Sequence, residues 1–396
     1  MVPVRTFPAV EGLRGILAIA VVVYHAGINA GFTWGIDRHH HGLGGFLRHA
    51  DVAVPVFFMI SAFLLYRPFA LAHLRAGPRP DLRGYLLRRL VRLFPAYWLA
   101  LGVSMGLFGY AADLSWWGKL RLALLVQVYW ADTATAGLAQ VWSLNTELAF
   151  YLVLPGLAAL VARRGRNRAG AVRAEYALCA ALGLSGLAFR VAMFAGGPHR
   201  AQFWLPANLD VFAVGMALAV TSAASIARGG SGREPVGVLR LPAEVPAVAL
   251  AVVAACFTFL VAADLPLQTP TDGGQELTKR LVFVVLGACL LVPATFGREG
   301  RGGYRRLLVW PPLAWVGTVS LGVYLWHITV LDRLDRRFRP ADVGVYWRDG
   351  GPFLVVAGLA LSILAGTVSW LVVERPLQRL ARRAGGPTTG RRAGAH

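Results

Sequence analysis

Roughly ten segments of this chain are apolar and about 20 residues long, the length that crosses the hydrocarbon core of a bilayer. No other feature limits the fold as much. Lipid offers the backbone no hydrogen-bond partners, so a chain built of such segments must satisfy its amides internally, and segments without strand-like alternation do so as helices. The candidates lie near residues 10–29, 52–70, 91–110, 141–162, 175–195, 205–224, 244–263, 279–297, 313–331 and 352–373. An eleventh apolar run, near 120–130, is too short to span. The expected fold is therefore all-α: a polytopic membrane bundle of about ten transmembrane helices plus one short re-entrant or interfacial helix.

Composition narrows the function. With 56% hydrophobic residues, 15% charged residues and a mean hydropathy of +0.55, the chain is not an ordinary soluble domain. A formal charge of +20 would suit nucleic acid, but the basic residues sit in short loops between apolar segments rather than on one continuous face. They report topology. With a cytoplasmic N-terminus and ten spans, the cytoplasmic segments collect the larger share of the arginines, including Arg163, Arg164, Arg166 and Arg168; counting 120–130 as a span reverses this. Both termini are thus expected in the cytoplasm, in the cytoplasmic membrane. Residues 1–375 read as one integral-membrane domain and 376–396 as a basic tail of disorder-like composition. Cys179, Cys256 and Cys289 all fall in apolar segments, which argues against a disulfide framework or a zinc site. The first segment lacks a signal-peptide cleavage pattern.

Several charges lie where lipid would not tolerate them. The first span, VEGLRGILAIAVVVYHAG, holds Glu11, Arg14 and His25. Arg14 and His25 are eleven residues apart, which brings them within roughly 20° on the helix and about 16 Å apart along it. Ionisable groups inside a bundle are functional by default, although Glu11 and Arg14 at i, i+3 can also pair simply to brace the helix. Glu147 lies six residues into its span, and His327 near the outer end of another, so both share a depth with His25. A histidine–carboxylate pair can deprotonate a hydroxyl, the imidazole acting as base. A structural polar cluster joining three helices is the other reading.

Arg88, Arg89 and Arg92 open the third span at its cytoplasmic edge, with Arg89 and Arg92 on one face. They could clamp phosphates, or serve topology and anionic lipid headgroups. Asp51 and Ser61 add polar groups to the second span; Ser61 suits a bond to its own backbone better than a nucleophile's role. Asp37, His39, His40, His41 and His49 show no recognisable metal-ligand spacing, and no metal is expected. Glu374 and Arg375 follow the last span and suit docking of its end.

The motifs EGLRG (11–15), Tyr24-His25, DVAVPVFFMISAF, RRLVRLFPAYW, VWSLNTELAFY, VSLGVYLWH and VERP occur in an order that resembles the membrane-bound acyltransferase family 3, over roughly residues 7–376. Two departures stand out: Ser-Ala-Phe at 61–63 in place of Ser-Gly-Phe, and SLGVYLWH in place of a Ser-Tyr-Ser-X-Tyr-Leu-Trp-His form. They bear on substrate shape more than on reaction class. A large extracellular hydrolase-like domain, present in fused members, is not expected after the membrane part. The resemblance implies transfer of an acyl group, often acetyl, from acyl-coenzyme A to a hydroxyl of a carbohydrate or glycosylated metabolite. It makes His25 the central catalytic residue, Arg14 its partner along the helix, and Glu147 and His327 further members of the site. Arg89 and Arg92, with Arg88 beside them, would meet the coenzyme A phosphates. The rival class is a transporter, with the buried Glu, Arg and His as a proton or ion relay. Matched Gly/Pro-broken spans in two halves are not seen, which weakens that reading.

Overall fold

The computed structural model describes residues 7–31, 47–162, 164–165, 167–194, 196–263, 273–297, 302–340 and 349–384. Regular structure among them is helical, in chain order α1 (Pro8–Asn29), α2 (Ala53–Leu74), α3 (Leu82–Phe108), α4 (Trp116–Ala123), α5 (Trp142–Val161), α6 (Arg168–Phe194) and α7 (Leu209–Ala227). There follow α8 (Arg240–Glu244), α9 (Pro246–Ala262), α10 (Gly273–Thr295), α11 (Gly303–Leu308), α12 (Pro311–Thr318), α13 (Ser320–Phe338), α14 (Gly351–Ser369) and α15 (Arg375–Ala384). Eight helices are long and apolar enough to cross a membrane, or up to 10 if each bent pair is one span. All ten expected spans thus meet a helix or a bent pair.

Local sequence explains the ends and the breaks. The Asp81 carboxylate caps α3 by accepting from the amides of Arg83 and Gly84, and Gly109 closes the same helix with φ +69°. Ser115 caps α4 through the Gly118 amide at 3.2 Å. Proline at the first turn starts α1, α9 and α12, where its missing N–H costs nothing. Two spans are broken where unbroken helices were expected: α8 and α9 meet at 98°, and α12 and α13 at 75°. Pro246 explains the first break, because its ring disfavours the helical conformation at Val245, which stands at φ −121°, ψ 80°. The run near 120–130 forms only the end of eight-residue α4 and one 3-10 turn, Gln127–Tyr129. Disorder was expected from residue 376, but α15 continues through Ala384; residues 385–396 lie outside the described residues.

The most buried spans are α1, α2 and α7, while α6 and α14 lie at the periphery. Between spans there is no hydrophobic driving force in lipid, so contact depends on small residues that let backbones approach. A Cβ on Gly12 would stand 1.8 Å from the Leu308 carbonyl oxygen, and one on Gly317 would stand 1.8 Å from that of Glu11. These two glycines fix α1 against α11 and α12, and therefore fix where Arg14 points. Gly317→Val is expected to destabilise the bundle by about 3 kcal/mol or more, since backbone cannot yield as a side chain can. Gly106→Ala, with nothing within 4 Å of the new atom, should stay within about 0.5 kcal/mol. Thermal unfolding in one detergent, followed by tryptophan fluorescence, compares them.

Candidate active site

Two polar cavities lie back to back inside the bundle. The first, about 90 Å³, is lined by Arg14 of α1, Ser61 of α2, Arg89 and Arg92 of α3, and Glu147 and Tyr151 of α5, among apolar side chains. It has room for a few waters or a small acyl head. Glu147 accepts hydrogen bonds from the Ser61 hydroxyl and, at 2.6 Å, from the Tyr151 hydroxyl. Arg14 donates to the Ser320 hydroxyl at 3.0 Å, just past the α12–α13 break. The Nε groups of Arg14 and Arg89 are buried with no partner among the described residues. The lining holds three guanidiniums and the Glu147 carboxylate, with Glu374 and Glu11 close behind it, and the two unmet N–H donors suit a ligand that accepts hydrogen bonds.

The second cavity, about 320 Å³, is lined by His25, Asp51, Gln140, Glu276, Lys279 and Arg280, with Trp142, Phe203 and Phe283 among its apolar walls. Val54 and Tyr324 line both cavities and form their common wall. The Tyr324 hydroxyl donates to the Gln140 carbonyl at 2.6 Å, so its oxygen can accept from Ser143 at 2.7 Å. These bonds fix the tyrosine where the two cavities adjoin.

His25 and His327 meet. Their rings lie 4.8 Å apart, with His327 Nε2 at 3.3 Å from His25 Nδ1. Carbonyls only accept, which assigns the protons of the neutral rings: His327 Nδ1–H donates to the Tyr324 carbonyl at 2.6 Å, and His25 Nδ1–H to that of Val21 at 2.9 Å. His327 Nε2 then carries a lone pair toward His25 Nδ1–H. The remaining atom, His25 Nε2, is the base position. His327 is completely buried, whereas His25 borders the cavity.

The expected residues therefore divide into two groups. Arg14, Arg89, Arg92 and Glu147 share the arginine-lined cavity; His25 borders the other, with His327 packed behind it and lining neither. The expected His25–Glu147 pair is not formed, because the His25 ring engages Val21 and His327 while Glu147 engages Ser61 and Tyr151. Ser61 reaches across to α5 rather than only to its own backbone. Arg88 is exposed and lines neither cavity. Glu374 is buried on a π-helical turn, Trp370–Glu374, with one carboxylate oxygen unpartnered. Asp37, His39, His40 and His41 lie outside the described residues; His49 is buried, and among the described residues no three His, Cys, Asp or Glu side chains gather as a metal set.

The sequence reading missed Tyr151, Tyr324, Gln140 and an ion-pair layer at the histidine cavity. In that layer Lys279 meets Asp51 at 2.9 Å, Arg280 meets Asp210 at 2.7 Å, and Arg190 meets Glu276. Each charge lies at or near the end of an apolar run, and that position was the available signal.

Comparison with known proteins agrees with the motif resemblance. A protein of Bacillus subtilis (strain 168) named as a candidate peptidoglycan O-acetyltransferase, YrhL, is 24% identical over 395 residues, covering 94% of this chain and 55% of its own length. The peptidoglycan O-acetyltransferase OatA of Listeria monocytogenes is 21% identical, covering 94% of this chain and 56% of its own. The exopolysaccharide production protein ExoZ of Rhizobium meliloti is 27% identical, covering 90% and 96%. The chain thus spans little more than half the length of the first two relatives. No solved structure matches it. The acyltransferase-domain family model (Acyl_transf_3) matches residues 7–371, which takes in both cavities and every helix that lines them, and the chain belongs to that family.

Proposed function

We propose that the chain is an integral-membrane O-acyltransferase that moves an acyl group, acetyl in the simplest case, from acyl-coenzyme A to a hydroxyl of a carbohydrate or glycosylated metabolite. The observation that carries the reading is the pairing of an arginine-rich cavity with a histidine cavity across one shared wall. The relatives named for peptidoglycan and exopolysaccharide chemistry support a carbohydrate acceptor. Residues 1–375 form the acyltransferase domain and 376–396 its basic extension. The arginine distribution supports a cytoplasmic placement of both ends, in the cytoplasmic membrane.

The donor enters from the cytoplasmic side, past exposed Arg88, with its negative charge against Arg89 and Arg92 and its thioester carbonyl passing beside Val54 and Tyr324, where the two cavities adjoin, to within reach of the acceptor. Glu147, held by Ser61 and Tyr151, balances the guanidiniums so that Arg14 keeps its place on Ser320. The acceptor occupies the histidine cavity. His25 Nε2 takes the proton of the acceptor hydroxyl as that oxygen attacks the thioester carbonyl. The carbon–sulfur bond breaks, and the departing thiolate receives the proton. His327 acts as a positioning residue: its lone pair holds His25 Nδ1–H and favours the imidazolium that forms.

The test is stoichiometric. Purified protein supplied with acetyl-coenzyme A and an envelope glycan fraction should release one free thiol for each acetyl mass increment on the glycan. A transporter would accumulate solute with no thiol released, and that result would replace the proposal.

A further inference from the structure

The histidine cavity leaves two buried acceptor oxygens unanswered. Asp51 Oδ2 accepts from Lys279, but Asp51 Oδ1 is buried and meets no donor among the described residues. Gln140 is 3% exposed and its Oε1 is likewise unpartnered. The orientation of this amide is fixed, because its Nε2 donates to the Leu325 carbonyl at 2.8 Å, and a carbonyl could not donate in return. An unmet buried acceptor costs about 1–3 kcal/mol, so each is a demand for a donor from whatever enters.

The cations there make no matching demand. Lys279, Arg280 and Arg190 are each faced by a carboxylate, those of Asp51, Asp210 and Glu276. An anion entering the cavity would add an acceptor to a site already in surplus and bring uncompensated charge into a low-dielectric interior. A hydroxyl-rich neutral ligand meets the demand, and Trp142 and Phe203 give its apolar ring faces a surface. At about 320 Å³ the cavity is at the small end of ligand sites, which favours one sugar unit at a time.

Resting on the acyltransferase reading, we propose that the acceptor subsite takes a single uncharged sugar residue, with Asp51 Oδ1 and Gln140 Oε1 accepting from hydroxyls that flank the one presented to His25. Uronates and phosphorylated sugars are disfavoured. Asp51 and Gln140 set acceptor choice and leave the donor side untouched.

Methyl β-glucoside and methyl β-glucuronide differ only in a hydroxymethyl or carboxylate group at C6, and saturation-transfer NMR on protein in lipid nanodiscs reads the binding of each. The glucoside should bind, and the glucuronide at least about tenfold more weakly. Gln140→Met, which keeps the side-chain volume, should weaken glucoside binding about fivefold, and Asp51→Asn by a similar factor. Asp51→Asn also disturbs Lys279, so thermal unfolding accompanies it and Gln140→Met decides the matter if that variant misfolds. Equal or tighter glucuronide binding, no glucoside binding, or unchanged glucoside binding in folded Gln140→Met protein overturns the proposal. Thiol release from acetyl-coenzyme A separates the two levels. Turnover with a glucuronide preference sinks the acceptor class alone, whereas glucoside selectivity without any turnover sinks the acyltransferase reading.

Discussion

His25→Ala should reduce acyl transfer by about 10²–10⁴-fold while the protein keeps its thermal midpoint, the range expected when a positioned base is removed. The geometry explains why no neighbour can substitute. His327 turns its lone pair toward His25 Nδ1 and is completely buried, and the carboxylates lining the same cavity, Asp51 and Glu276, sit in ion pairs with Lys279 and Arg190. His25→Gln keeps a polar side chain but no basic nitrogen, so it should be as inactive as alanine. His327→Ala should cost less, because it frees the His25 ring to turn without removing the base. Single-turnover transfer of radiolabelled acetyl, compared at equal amounts of folded protein, distinguishes them. Near-normal turnover in His25→Ala would remove the ring from the mechanism.

Replacing both Arg89 and Arg92 by alanine should raise the KM for acyl-coenzyme A by about a hundredfold or more, since a hydrogen bond to a charged group is worth about 1.5–3 kcal/mol and tenfold corresponds to about 1.4 kcal/mol. Arg88→Ala supplies the control. It lies on the same helix turn but exposed and outside the cavity, so its effect should stay within about twofold. Lysine at 89 or 92 should recover only part of the loss, because an ammonium cannot offer the guanidinium's planar fork. An effect of Arg88→Ala as large as that of the pair would move the donor site to the surface.

The spans were legible because hydrophobic length is a one-dimensional property, and every expected segment meets a helix or a bent pair. The bends at Val245 and Val319 were not, because hydropathy averages over a break that leaves composition unchanged. In the site, the face shared by Arg89 and Arg92 follows from 100° per residue, but the same rule puts Arg88 only about 40° from Arg92, so its exposure was not legible. The meeting of His25 with His327 was suggested by their common depth. Glu147 shows where depth fails. The turn Ala139–Val141 contains buried Gln140 and Val141, so α5 begins within the bundle and its sixth residue reaches the level of Ser61 rather than that of His25. Counting along an axis gives height, not the direction a side chain faces. Tyr324 and Gln140 were invisible for a related reason: their significance lies in contacts more than 180 positions apart in sequence.

Val54 and hydrogen-bonded Tyr324 line both chambers, and this bears on how such a protein can sit in an energised membrane. A bilayer that carries a voltage cannot tolerate a continuous wet column through one of its proteins, since each leaking charge dissipates about 2.3 kcal/mol per 100 mV. On the proposed reading, two cavities that adjoin only at Val54 and Tyr324 would let an acyl group pass between them without one broad aqueous channel through the bundle.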